Sequence, residues 1–275
     1  MRLLLFTSFC SLFANEIWAQ QGVFRSQSVN LAAFSNTSKS SNESGNAKSF
    51  IPSAQGSQNI SKKTAPIGTN IFLIPLFGGF EKSVEQKEKV EEFLKSCDKS
   101  FKNRSEASDF FATRAWEYLS EGEKDTATHR FNLAYLLDDE NAEAYWGLGV
   151  IAYQNQQYEQ AIELMNKGLD MDDDDNVTLI VDLSTVYLKC FTVDNNHKDL
   201  ENAFNLLHKA LNKQPDAANA LMQLSMAKLL NNELDEAWER FHEGYELDPE
   251  NANIEILEAL LSKKDDPKGI FHKNN

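Results

Sequence analysis

Four alanines constrain this chain more than any other feature. Ala127, Ala161, Ala203 and Ala237 follow one another at separations of 34, 42 and 34 residues, each midway along an amphipathic stretch. Four residues after each comes a bulky apolar side chain (Phe131, Met165, Leu207, Phe241), and seven after comes a small residue (Ala134, Gly168, Ala210, Gly244). Offsets of four and seven share one face of an α-helix. Twelve residues after each alanine stand Asp139, Asp173, Pro215 and Pro249, where a helix must stop. An earlier helix in each unit repeats the logic. There Ala115, Gly149, Ser184 and Ser225 are the small residues, and Phe111, Tyr145, Ile180 and Leu221 stand four positions before them. Small residues at fixed offsets let helices pack closely, and a short helical pair buries its apolar face only by stacking on the next pair. No convincing strand pattern occurs. In the third unit Ser184 and Ala203 are 19 residues apart against 12 elsewhere. The seven extra residues predict a lengthened turn at 192–198.

Charge divides the chain into two differently built pieces. From 20 to 80, Arg25, Lys39, Lys48, Lys62 and Lys63 face only Glu43, whereas residues 81–275 carry a net −19 of the overall −15. Such a surface repels a phosphate backbone, so a nucleic-acid partner is excluded. The hydrophobic share of 41% suffices for a core.

The N-terminus reads as targeting sequence. Arg2, the apolar run Leu3–Phe13 and the small Ala19 fit a signal peptide over residues 1–19, and eleven apolar residues are too few to span a bilayer. Residues 20–70 are rich in Ser, Asn and Gln and predict a disordered tether. Residues 71–80 (IFLIPLFGGF) are abruptly apolar and must dock somewhere, either in a groove of the repeats or as an N-terminal cover; Pro75 and Gly78-Gly79 oppose a regular helix. Residues 71–107 thus hold a docking segment and an additional helix from Ser83 to about Phe101. The repeats occupy 108–263, as units 108–141, 142–175, 176–217 and 218–251 with a cap at 252–263, and a polar tail closes the chain at 264–275.

A 34-residue period with these offsets resembles the tetratricopeptide repeat. The resemblance implies an all-α, right-handed solenoid of helical pairs, and binding of a protein rather than catalysis. Glu117-Tyr118-Leu119, Thr126-Ala127, Arg130-Phe131-Asn132 and Tyr145-Trp146-Gly147, after Pro75-Leu76-Phe77-Gly78-Gly79, are also similar to exported bacterial repeat proteins of unassigned function, which implies a periplasmic, secreted or envelope location.

By the family's pattern, the second, fifth, ninth and twelfth positions of each unit face the concave groove. Trp116, Trp146, Val150, Tyr153, Val181, Met222 and Met226 fall there, and the resemblance makes them expected anchors for an apolar peptide or helix. Family members that clamp a C-terminal carboxylate use Lys and Asn; here only Asn219 stands at a matching position, where Lys is expected. Ala115, Ala127, Ala134, Gly149, Ala161, Gly168, Ala203, Ala210, Ala237 and Gly244 are the expected packing residues.

Chemistry finds little support. His129, His197, His208, His242 and His272 lack metal-ligand spacing, and no nucleophile elbow or phosphate-cradling loop occurs. The acidic run 170–175 fails as a calcium loop, because Asp175 and Val181 stand where Gly and a bidentate Glu are needed. No metal or cofactor is expected. Cys97 and Cys190 are expected to remain thiols. The reading is an exported interaction scaffold. Its alternatives are an envelope spacer whose groove is filled by residues 71–80, and an enzyme whose chemistry these motifs do not reveal.

Overall fold

A computed structural model describes residues 63–172 and 176–272. The signal-peptide reading, nearly all of the tether and Asp173–Asp175 lie outside the described residues. Within them the chain is helical, with one isolated β-bridge between Lys63 and Phe80.

Helix α1 (Val84–Ser100) stands where an additional helix was expected. It begins at a capping box: the Ser83 hydroxyl accepts from the Gln86 amide while the Gln86 side chain accepts from the Ser83 amide. Four helical pairs follow: α2 (Arg104–Ser120) with α3 (Lys124–Leu137), α4 (Ala142–Gln154) with α5 (Tyr158–Asp170), α6 (Val177–Asp194) with α7 (His197–Lys213), and α8 (Ala218–Leu230) with α9 (Leu234–Leu247). Helix α10 (Ile254–Lys263) caps the stack.

The first, second and fourth pairs turn on the same device. A residue in the left-handed region, Gly122, Gln156 or Asn232, stands five positions before the packing alanine. The next amide then reaches back across the turn, from Glu123 to Tyr118 O, Gln157 to Ala152 O and Glu233 to Lys228 O, each 2.9 Å. This six-to-one bond satisfies a helix-end carbonyl that would otherwise have no partner. The first helices of the first three pairs start on asparagine caps at Asn103, Asn141 and Asn176, whose side chains accept from amides of the first turn, whereas α8 follows Ala217 without a side-chain cap.

The third pair corrects the expected lengthened turn. Its turn is short, with Asn195 left-handed and Asn196 capping α7, while α6 and α7 run 18 and 17 residues against 13 in α4 and in α5. Seven residues are about two helical turns. One turn added to each arm of an antiparallel hairpin lengthens it without rotating either apolar face, so the stack continues in register.

First helices touch the first helices of adjoining pairs (α2 with α4, α4 with α6, α6 with α8), making an inner layer; within the pairs, second helices pack mainly on the first helices beside them. The core lies between the layers. Ala115, Ala127, Ala134, Ala161, Ala203, Ala210 and Ala237 are fully buried there, and Gly149, Gly168 and Gly244 are buried too. An added Cβ at Gly168 would meet Ala142 O at 3.2 Å, and at Gly244 it would meet Ala218 O at 3.1 Å. These are backbone approaches between the two helices of one pair. Ser225, a small residue of the inner layer, donates its hydroxyl to Ala237 O at 2.7 Å, tying the two arms of the last pair.

Both ends of the stack are covered. Residues 63–70 are already part of the fold, so the tether ends earlier than Asn70: the Glu81 amide donates to Lys63 O, and the Asn70 side chain caps the 3-10 turn at Ile71–Leu73. Residues 71–80 pack on α3, in the outer layer. The spacer reading, which placed this segment in the concave groove, is therefore corrected. At the other end, the expected polar tail folds back. Phe271 inserts among Trp238, Phe241, His242 and Tyr245, and the Asp266 carboxylate accepts from the amides of Lys268, Ile270 and Phe271.

Candidate partner-binding face

The inner layer is stitched by side chains that reach from one pair to the next. Asn141 donates to Asp109 at 3.0 Å, the Trp116 indole N–H donates to Glu143 at 2.6 Å, and the Trp146 indole N–H donates to Asp182 at 2.8 Å. The two indoles also meet edge to face, with ring centres 5.3 Å apart.

These contacts change the standing of the expected anchors. Trp116, Trp146, Val150, Val181, Met222 and Met226 are all buried, Trp146 to 1% exposure. Tyr153 alone is half-buried, against Tyr158. An anchor must offer open apolar surface to a partner, and six of the seven are committed to the core. Tyr153 reports the local field: burial pushes its phenol well above the ordinary value, and Tyr158, Glu255, Asp182 and Cys190 push it the same way. Asp182 on α6 and Glu255 on α10 thus bring negative charge towards one phenol on α4.

What the inner face offers is polar. Between the starts of α2, α4 and α6 lies an open cleft of about 290 Å³ lined by Asp109, Asp138, Glu140, Glu143 and Asp172, with Asn141 and Asn176 between them. No Lys or Arg is among its described lining residues. Partial desolvation in the cleft raises the Asp109 carboxyl, exposed at its rim, above its ordinary value and the Asp138 charge adds to this, against the hydrogen bond from Asn141. Thr178 and Asn219 continue the half-buried edge along α6 and α8.

Other candidate groups have structural roles. His129, His197, His208 and His242 each pack on an aromatic ring (Phe72, Phe191, Phe204 and Trp238). Among the described residues no three His, Cys, Asp or Glu side chains gather to hold a metal ion. Cys97 and Cys190 are free thiols, and burial pushes Cys190 up to about 12, away from the reactive thiolate. No described helix is long and apolar enough to cross a membrane.

Sequence reasoning missed two residues of consequence. Gly147 lies under the Phe131 ring, two residues before Gly149 of the small-residue series. Asn132 is fully buried and bonded to residues 56–60 positions earlier in the chain. The packing series pointed near the first; no local signal marks the second.

A stack of helical pairs with a continuous inner face defines a helical-repeat interaction protein. Residues 113–176 match the family model described as tetratricopeptide repeat. The four helical pairs stand in one register beyond the matched stretch, so the fold is an all-α solenoid of tetratricopeptide-repeat type. Among solved structures it is similar to YrrB, described as a TPR protein with an unusual peptide-binding site, at 23% identity over 57% of this chain and 87% of that one, TM-score 0.42. It is also similar to the MamA RS-1 ArsTM double mutant, at 20% identity over 58% and 86%, TM-score 0.46. No curated protein matches.

Proposed function

We propose that this chain is an exported interaction scaffold whose concave face takes a protein segment carrying positive charge. The carboxylate-lined cleft between the starts of α2, α4 and α6 carries the reading. Opposite charge steers encounter and fixes which partners are rejected, and a net −19 over residues 81–275 extends the same preference beyond the cleft. This replaces an apolar ligand with a cationic one, because the apolar side chains of the inner layer are buried. Export rests on Arg2, the apolar run Leu3–Phe13 and Ala19.

The test begins with the partner that co-purifies from the source cells. Its affinity for the intact protein should fall with added salt, and should fall at least tenfold with Asp109→Lys and Glu140→Lys together, both exposed positions. Binding indifferent to salt and to both charge reversals would overturn the cationic reading. N-terminal sequencing of the mature protein should begin near Gln20; an intact Met1 would overturn export.

A further inference from the structure

Residues 71–80 are held by one side chain more than by any regularity of their own. The Asn132 amide on α3 is spent wholly on their backbone: Nδ2 donates to Phe72 O at 2.9 Å and to Ile74 O at 2.8 Å, and Oδ1 accepts from the Leu76 amide at 2.9 Å. A single amide bonding backbone groups at residues 72, 74 and 76 recognises main-chain conformation, whatever the side chains. Apolar contacts beside it add sequence preference. Ile71 and Phe77 are buried, the Phe72 ring lies 5.9 Å from His129, and the Phe77 ring lies 6.4 Å from Tyr135. Main-chain bonds for affinity and flanking pockets for choice are how peptide-binding surfaces work.

The occupant fits imperfectly. Leu76 and Phe77 have φ of 49° and 60°, the left-handed region that L side chains enter at a cost. An open cleft of about 520 Å³ lies between the segment, α1 and α3, lined by Phe72, Val90, Phe93 and Leu133 together with His129, Glu85 and Lys89 among others.

We infer that the outer face of α3 is a peptide-reading site, self-occupied by residues 71–80 and open to a partner segment of the same apolar chemistry. It lies in the layer opposite the concave face and does not depend on the function proposed for that face. Covalent attachment gives the resident segment an effective concentration of order mM, so a competitor succeeds only when the segment is weakened or the competitor binds better. Strain at Leu76 and Phe77 lowers that threshold.

The test uses the full chain and a fluorescent synthetic peptide of residues 69–82, followed by anisotropy. Phe77→Ser weakens the resident segment; if that chain lost its helical circular dichroism, Phe72→Ser takes its place. The weakened chain should bind the peptide saturably, at least tenfold more tightly than the unaltered chain does. A peptide methylated on the Leu76 amide nitrogen cannot donate to Asn132 and should bind at least tenfold more weakly, with the protein untouched. Failure of the weakened, still helical chain to bind, or equal binding of the methylated peptide, would overturn the inference.

Discussion

Gly147 and Ala161 show how little room the core leaves. A Cβ on Gly147 would sit 2.0 Å from the tip of the Phe131 ring, inside any permitted contact. The ring is fully buried and has nowhere to swing, so Gly147→Ala should destabilise by about 1–3 kcal/mol, the usual cost of overpacking. Ala161→Leu should cost about as much for the same reason, whereas Glu159→Leu, exposed on the same helix, should stay within about 0.5 kcal/mol. Chemical denaturation of the three variants checks this; equal midpoints for Ala161→Leu and Glu159→Leu would mean the helix register is misassigned. The packing alanines were legible in the sequence because close helix approach leaves a trace at fixed offsets. Trp116 and Trp146 carry no such trace. Their indole N–H groups are satisfied by Glu143 and Asp182, 27 and 36 residues away, and a tryptophan's own sequence neighbourhood does not distinguish a core ring from a groove anchor.

Among the elements, the tail after α10 answers to pH. Burial alone would raise the Asp266 carboxyl, but the amides of Phe271, Lys268 and Ile270, with His242 beside it, outweigh burial and hold it below the ordinary carboxylate value. A carboxyl depressed in the folded state contributes stability that is fully present above its unfolded value near 4, and loses it as pH falls through the folded value. Tail docking should therefore be constant from neutral pH to about 5 and fail on further acidification. Asp266→Asn should flatten that dependence and loosen the tail at every pH. Hydrogen exchange of the Ile270 and Phe271 amides reports it; protection already lost above pH of about 5, or unchanged however far the pH is lowered, would contradict the assignment. The tail read as merely polar because Phe271 is one ring among charges, and its aromatic box is assembled from α9. The third pair misled for a different reason. Seven extra residues fit either a loop or two helical turns, and Asn195-Asn196 looks like loop sequence until one sees that it supplies a left-handed residue and a cap.

Taken whole, the molecule is two helical layers closed at both ends, by residues 71–80 on α3 and by the tail on α9. The all-helical class followed from period and offset, since every unit must present the same faces to its neighbours. The seat of residues 71–80 did not, because it depends on one asparagine whose partners lie 56–60 positions away. The inner face lost its apolar anchors to the core and kept its carboxylates, and on that exchange rests the claim that a cationic segment binds there. Site-specific photocrosslinking to the co-purified partner tests the claim most directly. A crosslinker replacing Asp109 or Asn219 on the inner face should capture the partner through a basic stretch of its sequence, and salt should suppress capture; the same group replacing Glu163 on α5 in the outer layer should not capture it. Capture from Glu163 alone, or inner-face capture through an apolar stretch unaffected by salt, would contradict the account.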